Sequence, residues 1–135
     1  MKPVLNSMAG SGVLLCALSL TLFGCSSVSP TKASLRCDHS PQVRVTAAKP
    51  TVSVSYTEPT TALDGRPLSS LAKTTIYVDT GDGPVTAKDI PATNPRGGGH
   101  ISQTITIPLK QRETVASICV TATDSQGNEG PPTRQ

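Results

Sequence analysis

The strongest constraint on this chain is a hydrophobic period of two. Residues 51–56, TVSVSY, put Val52, Val54 and Tyr56 on one side and Thr51, Ser53 and Ser55 on the other, as a strand with one buried face requires. The pattern returns in residues 74–79, with Ile76 and Val78 inward and Tyr77 outward. It recurs in residues 101–109, where Ile105, Ile107 and Leu109 share a side, and in residues 118–123, where Ile118, Val120 and Ala122 oppose Cys119, Thr121 and Thr123. Val43 and Val45 make a shorter run, and residues 85–90 form a short edge strand closed by Pro91. No window carries apolar residues at helical spacing for three turns. The expectation is an all-β fold. The 12 Pro and 11 Gly among 135 residues punctuate short Val-, Ile- and Thr-rich runs, which suits one domain of short strands and tight turns.

The breaks between these runs have turn chemistry of their own. Pro50 marks the corner between the first two strands. Residues 58–71 read as a polar loop around the turn Asp64, Gly65, Arg66, Pro67, with Leu63, Leu68 and Leu71 expected to plug the edge of the core. Residues 79–84, DTGDGP, place two carboxylates beside glycines, but too few oxygen ligands follow for a calcium loop, so a plain turn is expected. Residues 94–100, NPRGGGH, read as a mobile loop. They lack the Lys and Ser or Thr that follow the last glycine of a phosphate loop. After the 118–123 run, Asp124, Ser125, Gln126, Gly127 and Asn128 supply side-chain acceptors and a residue free to take positive φ.

The N-terminus belongs to a different class of sequence. Lys2 followed by the apolar run 13–23 has the charge and length of an export signal and is short for a bilayer span. It ends in Leu22, Phe23, Gly24, Cys25, which resembles the lipobox of bacterial lipoproteins, although Phe23 is bulkier than the usual residue there. The resemblance implies removal of residues 1–24 and acylation of Cys25. Residues 25–40, rich in Ser, Thr, Pro and Ala, would then be a tether, held to the membrane by acyl chains worth about 0.8 kcal/mol per buried methylene. Ser26 after the cysteine resembles lipoproteins sorted to the outer membrane, so the expected location is the cell envelope, lipid-anchored.

Charge and chemistry narrow the function classes. Residues 1–24 hold one of the 12 basic side chains and none of the 9 acidic ones, so the remainder is nearly balanced. The basic residues are scattered and few aromatics accompany them, which argues against nucleic acid. With Cys25 taken by lipid, Cys37 and Cys119 remain. An oxidising compartment makes a bridge between them the natural first pairing. Free thiols, or a metal pair drawing on Asp38 and His39, are the alternatives. His39 and His100 are the only imidazoles, and no serine sits in a nucleophile elbow, so no enzyme and no cofactor is expected.

From Pro41 to the C-terminus the residues resemble the fibronectin type III domain. The match rests on TVSVSYTEP with Tyr56 and Pro59, on the strand KTTIYVD, and on VTATDSQGNEGPP. The resemblance implies an immunoglobulin-like sandwich of seven strands in two antiparallel sheets over 41–135. Two departures stand out: Tyr56 where the family has Trp, and Val115 or Ala116 at the tyrosine-corner position. Little sequence follows Pro131 and Pro132, so the last strand is expected short or absent. Its neighbour's edge would then need cover, from the segment around Cys37 or from a partner's strand. The family likeness implies non-catalytic contact with an envelope protein or glycan through the loops 58–71, 91–100 and 124–130. Arg96, His100, Tyr77 and Tyr56 are the candidate contact residues. A structural, envelope-organising lipoprotein, with the sandwich as spacer or assembly subunit, is the alternative.

Overall fold

The computed structural model describes residues 35–37 and 40–133. The expected export signal, Cys25 and most of the expected tether lie outside them, as do Asp38 and His39. Six strands follow in order: β1 (Gln42–Thr46), β2 (Thr51–Thr57), β3 (Leu71–Asp79), β4 (Val85–Pro91), β5 (His100–Thr106) and β6 (Glu113–Asp124). All pairings are antiparallel. β1, β6, β3 and β4 make one sheet in that spatial order, and β2 with β5 makes the other. The chain is all-β, in two antiparallel sheets, with six strands among the described residues rather than the seven implied by the family resemblance.

The two sheets share one core. Val54 and Tyr56 of β2 and Ile101 and Ile105 of β5 meet Ile76 and Val78 of β3 and Ala116, Ile118 and Val120 of β6. Apart from Ile101 and Ala116, these are residues that the alternation places inward. Tyr56 carries a hydroxyl into this core, and Thr74 on the opposite sheet meets it at 2.6 Å. A buried phenol without a partner would be costly, so this pair links the sheets where the resemblance calls for an apolar Trp. Burial, opposed by the Thr74 bond, raises the Tyr56 pKa above the ordinary phenol value.

β6 departs from the half-buried strand that its sequence suggests. It starts at Glu113, well before the 118–123 run, and Cys119, Thr121 and Thr123 on its outward face are buried along with the inward residues. Several groups cover that outer face. Cys37 is bonded to Cys119, closing a sequence separation of 82. The Glu129 carboxylate accepts from the Tyr77 hydroxyl at 2.7 Å and from the Thr121 hydroxyl. On the neighbouring strands, Asp89 accepts from Thr75 at 2.6 Å and from Lys73 at 3.0 Å.

The edge of β6 opposite β3 is filled by two separate pieces of the chain. β1 pairs with residues 113–117, from Gln42 opposite Ser117 to Thr46 opposite Glu113, and the Ile118 N–H donates to the Pro41 carbonyl. Beyond that point the chain that follows β6 turns back. Thr123 bridges Glu129, the Gly130 N–H donates to the Ala122 carbonyl, and the Thr133 N–H donates to the Val120 carbonyl. The edge expected to lie open is therefore covered from within. No strand follows β6 among the described residues, and the 128–133 segment with β1 stands in that place.

Two measurements check this arrangement. Intact mass after alkylation without reductant should show Cys37 and Cys119 unmodified, and C37S/C119S should lower unfolding stability by up to about 4 kcal/mol. Tyr56→Phe should cost about 1–3 kcal/mol in urea denaturation, because it leaves the buried Thr74 hydroxyl without its partner. A neutral Tyr56→Phe would mean that the inter-sheet bond contributes nothing.

Candidate functional site

Three loops converge at one end of the two sheets. They are the β2–β3 loop (residues 58–70), the β4–β5 loop (92–99) and the β6 turn (124–128). Backbone bonds tie them: Leu71 N–H to the Pro95 carbonyl at 2.9 Å, Gly98 N–H to the Glu58 carbonyl at 3.3 Å, and Ser125 N–H to the Ser70 carbonyl at 2.8 Å. The end is thus one connected surface rather than three independent loops.

Glu58 fixes the centre of it. Only 2 % of this residue is exposed, and burying a carboxylate is tolerated only where donors replace water. Its Oε1 accepts from the Thr93 N–H at 2.8 Å, and its Oε2 accepts from the Thr93 hydroxyl and from the Gly99 N–H at 3.1 Å. The glycine run is built for this contact. Gly97 has φ +69, and a Cβ there would lie 1.9 Å from the Pro59 carbonyl oxygen; a Cβ on Gly99 would strike the Thr93 side chain. Asn94 closes the loop from within, accepting from the Arg96 N–H at 2.8 Å and donating to the Gly97 carbonyl at 3.0 Å. The glycines that the sequence offered as a sign of mobility here permit close packing onto an acid.

The other two walls are similarly tied. In the β2–β3 loop Thr61 bridges Pro67, and Asp64 accepts from the Arg66 N–H at 3.0 Å and its guanidinium at 2.6 Å. In the β6 turn, Asp124 Oδ1 accepts from the N–H groups of Gln126 and Asn128 at 2.8 and 2.9 Å, while Asn128 Nδ2 donates to Oδ2 at 3.0 Å. The Asn128 bonds, followed by those of Gln126 and Gly127, hold the Asp124 pKa below the usual carboxylate range.

Between these two walls runs a groove of about 400 Å³. Pro59, Ala62, Leu68, Leu71 and Pro131 give it an apolar floor, and Asp124, Asn128 and Glu129 give it a polar rim. Leu63 also lines it, but 84 % of that residue is exposed. This corrects the expectation that Leu63 plugs the core. Of its companions, Leu71 is buried and Leu68 half-buried.

The structure does not gather the candidate contact residues into one place. Arg96 and His100 are exposed on the β4–β5 side and do not line the groove. Tyr77 reaches its margin through Glu129, and Tyr56 lies in the core. Glu58, Asn128 and Glu129 lie in the loops 58–71 and 124–130 that the sequence pointed to, but none of them was singled out as a contact residue. The signal for Glu58 was the glycine run, since adjacent glycines mark close backbone approach as well as flexibility. Among the described residues no group of three or more His, Cys, Asp and Glu is arranged to hold a metal ion. No family model, curated protein or solved structure matches this chain.

Glu58→Gln should destabilise the domain by about 1–3 kcal/mol, because the amide offers one acceptor oxygen where the carboxylate offers two. Amide exchange at Thr93 and Gly99 should speed up most, and unchanged exchange there would separate Glu58 from loop order. A folded-state pKa held low at Asp124 means that its contribution is present above the unfolded carboxylate value and lost as pH falls through the folded one. Exchange protection of the Gln126 and Asn128 amides should therefore drop below about pH 4 while β6 stays protected.

Proposed function

We propose that this chain is a lipid-anchored, non-catalytic binding module of the bacterial envelope. Residues 41–135 form a fibronectin type III-like domain whose groove receives an extended segment of a partner protein. The groove itself carries the reading: an apolar floor, walls fixed by internal hydrogen bonds, and an exposed leucine at the mouth. Prefixed walls lower the ordering cost of association, and an apolar cleft with a few polar groups at its rim is the usual form of a binding site.

The lining chemistry favours protein over glycan. Among the described residues no aromatic ring lines the groove, so a sugar face has nothing there to stack on. An apolar side chain fits the floor, and a neighbouring Lys or Arg complements Asp124 and Glu129 at the rim. The non-catalytic part rests on how those carboxylates are engaged. Asp124 is occupied by Gln126 and Asn128, and Glu129 by Tyr77 and Thr121, which leaves neither poised as a base. The anchor part rests on the sequence around Cys25.

The test is made in cells on the full chain. A photo-crosslinker at Leu63 should capture one protein partner, one at Lys88 should not, and D124K/E129K should cut capture about tenfold or more. Capture of glycan material, or equal capture at both positions, sinks the reading. Fatty-acid labelling should be lost in Cys25→Ser, and labelling that persists there removes the anchor.

A further inference from the structure

Among the described residues β2 leaves one edge unpaired. The Ile107 N–H donates to the Pro50 carbonyl and the Glu58 N–H donates to the Gly99 carbonyl, so even-numbered backbone groups of this strand face β5. In an antiparallel ladder the alternate residues face the other way. The N–H and C=O groups of Thr51, Ser53, Ser55 and Thr57 therefore point to an edge that no other described strand pairs with. Alongside lies a cleft of about 200 Å³ where β1 and β2 splay apart, lined by Pro41, Val43, Val52, Val54 and Ile118 among others.

Such an edge is usually defended by charge, proline or a bulge. β4 has all three, with Lys88, Asp89, Pro91 and a register shift at Ile76 and Tyr77. β1 carries Arg44, which pairs with Glu113 on its neighbour. β2 is TVSVSYT, with neither a charge nor a proline; the outer edge of β5, HISQTIT, is likewise unpaired and unguarded, but only the β2 edge lies beside the apolar cleft.

We propose that the β2 edge is a self-association surface, on which two copies of this chain pair β2 with β2, antiparallel, about a two-fold axis through Val54. That register follows from the parity of the strand. Thr51 of one copy faces Thr57 of the other, and Ser53 faces Ser55, so every outward N–H meets an outward C=O. Val54 meets its own counterpart as a non-hydrogen-bonded pair, and the strand's lack of charge leaves no like-charge opposition. The interface is isologous and closes at two copies. It joins the two-stranded sheets into one continuous sheet in the order β5, β2, β2, β5, and brings apolar side chains over the half-buried Val43 and Val52.

The side chains of Ser53 and Ser55 are exposed on the outer face, so they can be changed without touching the core. Sedimentation of the full chain in detergent should give a dimer. S53K/S55K places lysines opposite lysines and should weaken it about tenfold or more, whereas S53E/S55K places the introduced carboxylate of each copy opposite the introduced ammonium of the other and should restore it. Circular dichroism and an intact Cys37–Cys119 bridge in both variants establish that the monomer is folded. A monomeric wild type, a dimer untouched by S53K/S55K, or a dimer lost equally in both variants overturns the proposal. A variant at Leu63 should leave the dimer unchanged, which keeps this surface separate from the groove.

Discussion

The structure depends on the pairing of β6 along both of its edges. β3 lies beside it from Asp79 opposite Ser117 to Leu71 opposite Asp124. On the other side β1 and the 128–133 segment divide the remaining backbone between them. A buried strand with orphaned amides would forfeit several hydrogen bonds, each costly to leave unmade. Placing the N-terminal strand there satisfies the first half of β6 and brings the preceding segment to the outer face, where Cys37 meets Cys119.

With β6 paired, its outward side chains become a second buried layer. Thr121 is fully buried, and its hydroxyl needs the partner that Glu129 provides. Glu129 also takes the Tyr77 hydroxyl, and burial together with this bond raises the Tyr77 pKa. The 128–133 segment that completes the edge of β6 thus also carries the acid that satisfies its outer face. The groove is a consequence of the same path, since its polar rim is this returning segment and its far wall is the β2–β3 loop.

Glu58 does for the loop end what β1 does for the sheet. Its carboxylate replaces water with three donors from the β4–β5 loop, and that loop in turn receives the start of β3 through Leu71 and Pro95. Order at the loop end therefore rests on a buried carboxyl group and its three donors, an arrangement that is intolerant of losing any one of them. β2, which leads into Glu58, is fixed on its inner face by Tyr56 and Thr74 and on one edge by β5, while no described strand pairs with its other edge. Among the described residues the loops are tied to one another by hydrogen bonds, while β2 and β5 each keep one unpaired edge.

The residues alone determined the all-β class, the positions of the turns and the inward faces of β2, β3 and β5. Those features are written in neighbours: alternation at Val52, Val54 and Tyr56 or at Ile76 and Val78 needs only adjacent side chains, and Asp124 to Asn128 make their turn from within. Which strand lies beside β6, that both its faces are buried, that Leu63 points to solvent and that Glu58 holds the glycine loop were decided only by the tertiary structure. Backbone donors and acceptors are the same on every strand, so a sequence does not say which two will meet. Contacts such as Cys37 with Cys119, or Glu58 with Gly99, join residues whose separation along the chain hides their proximity.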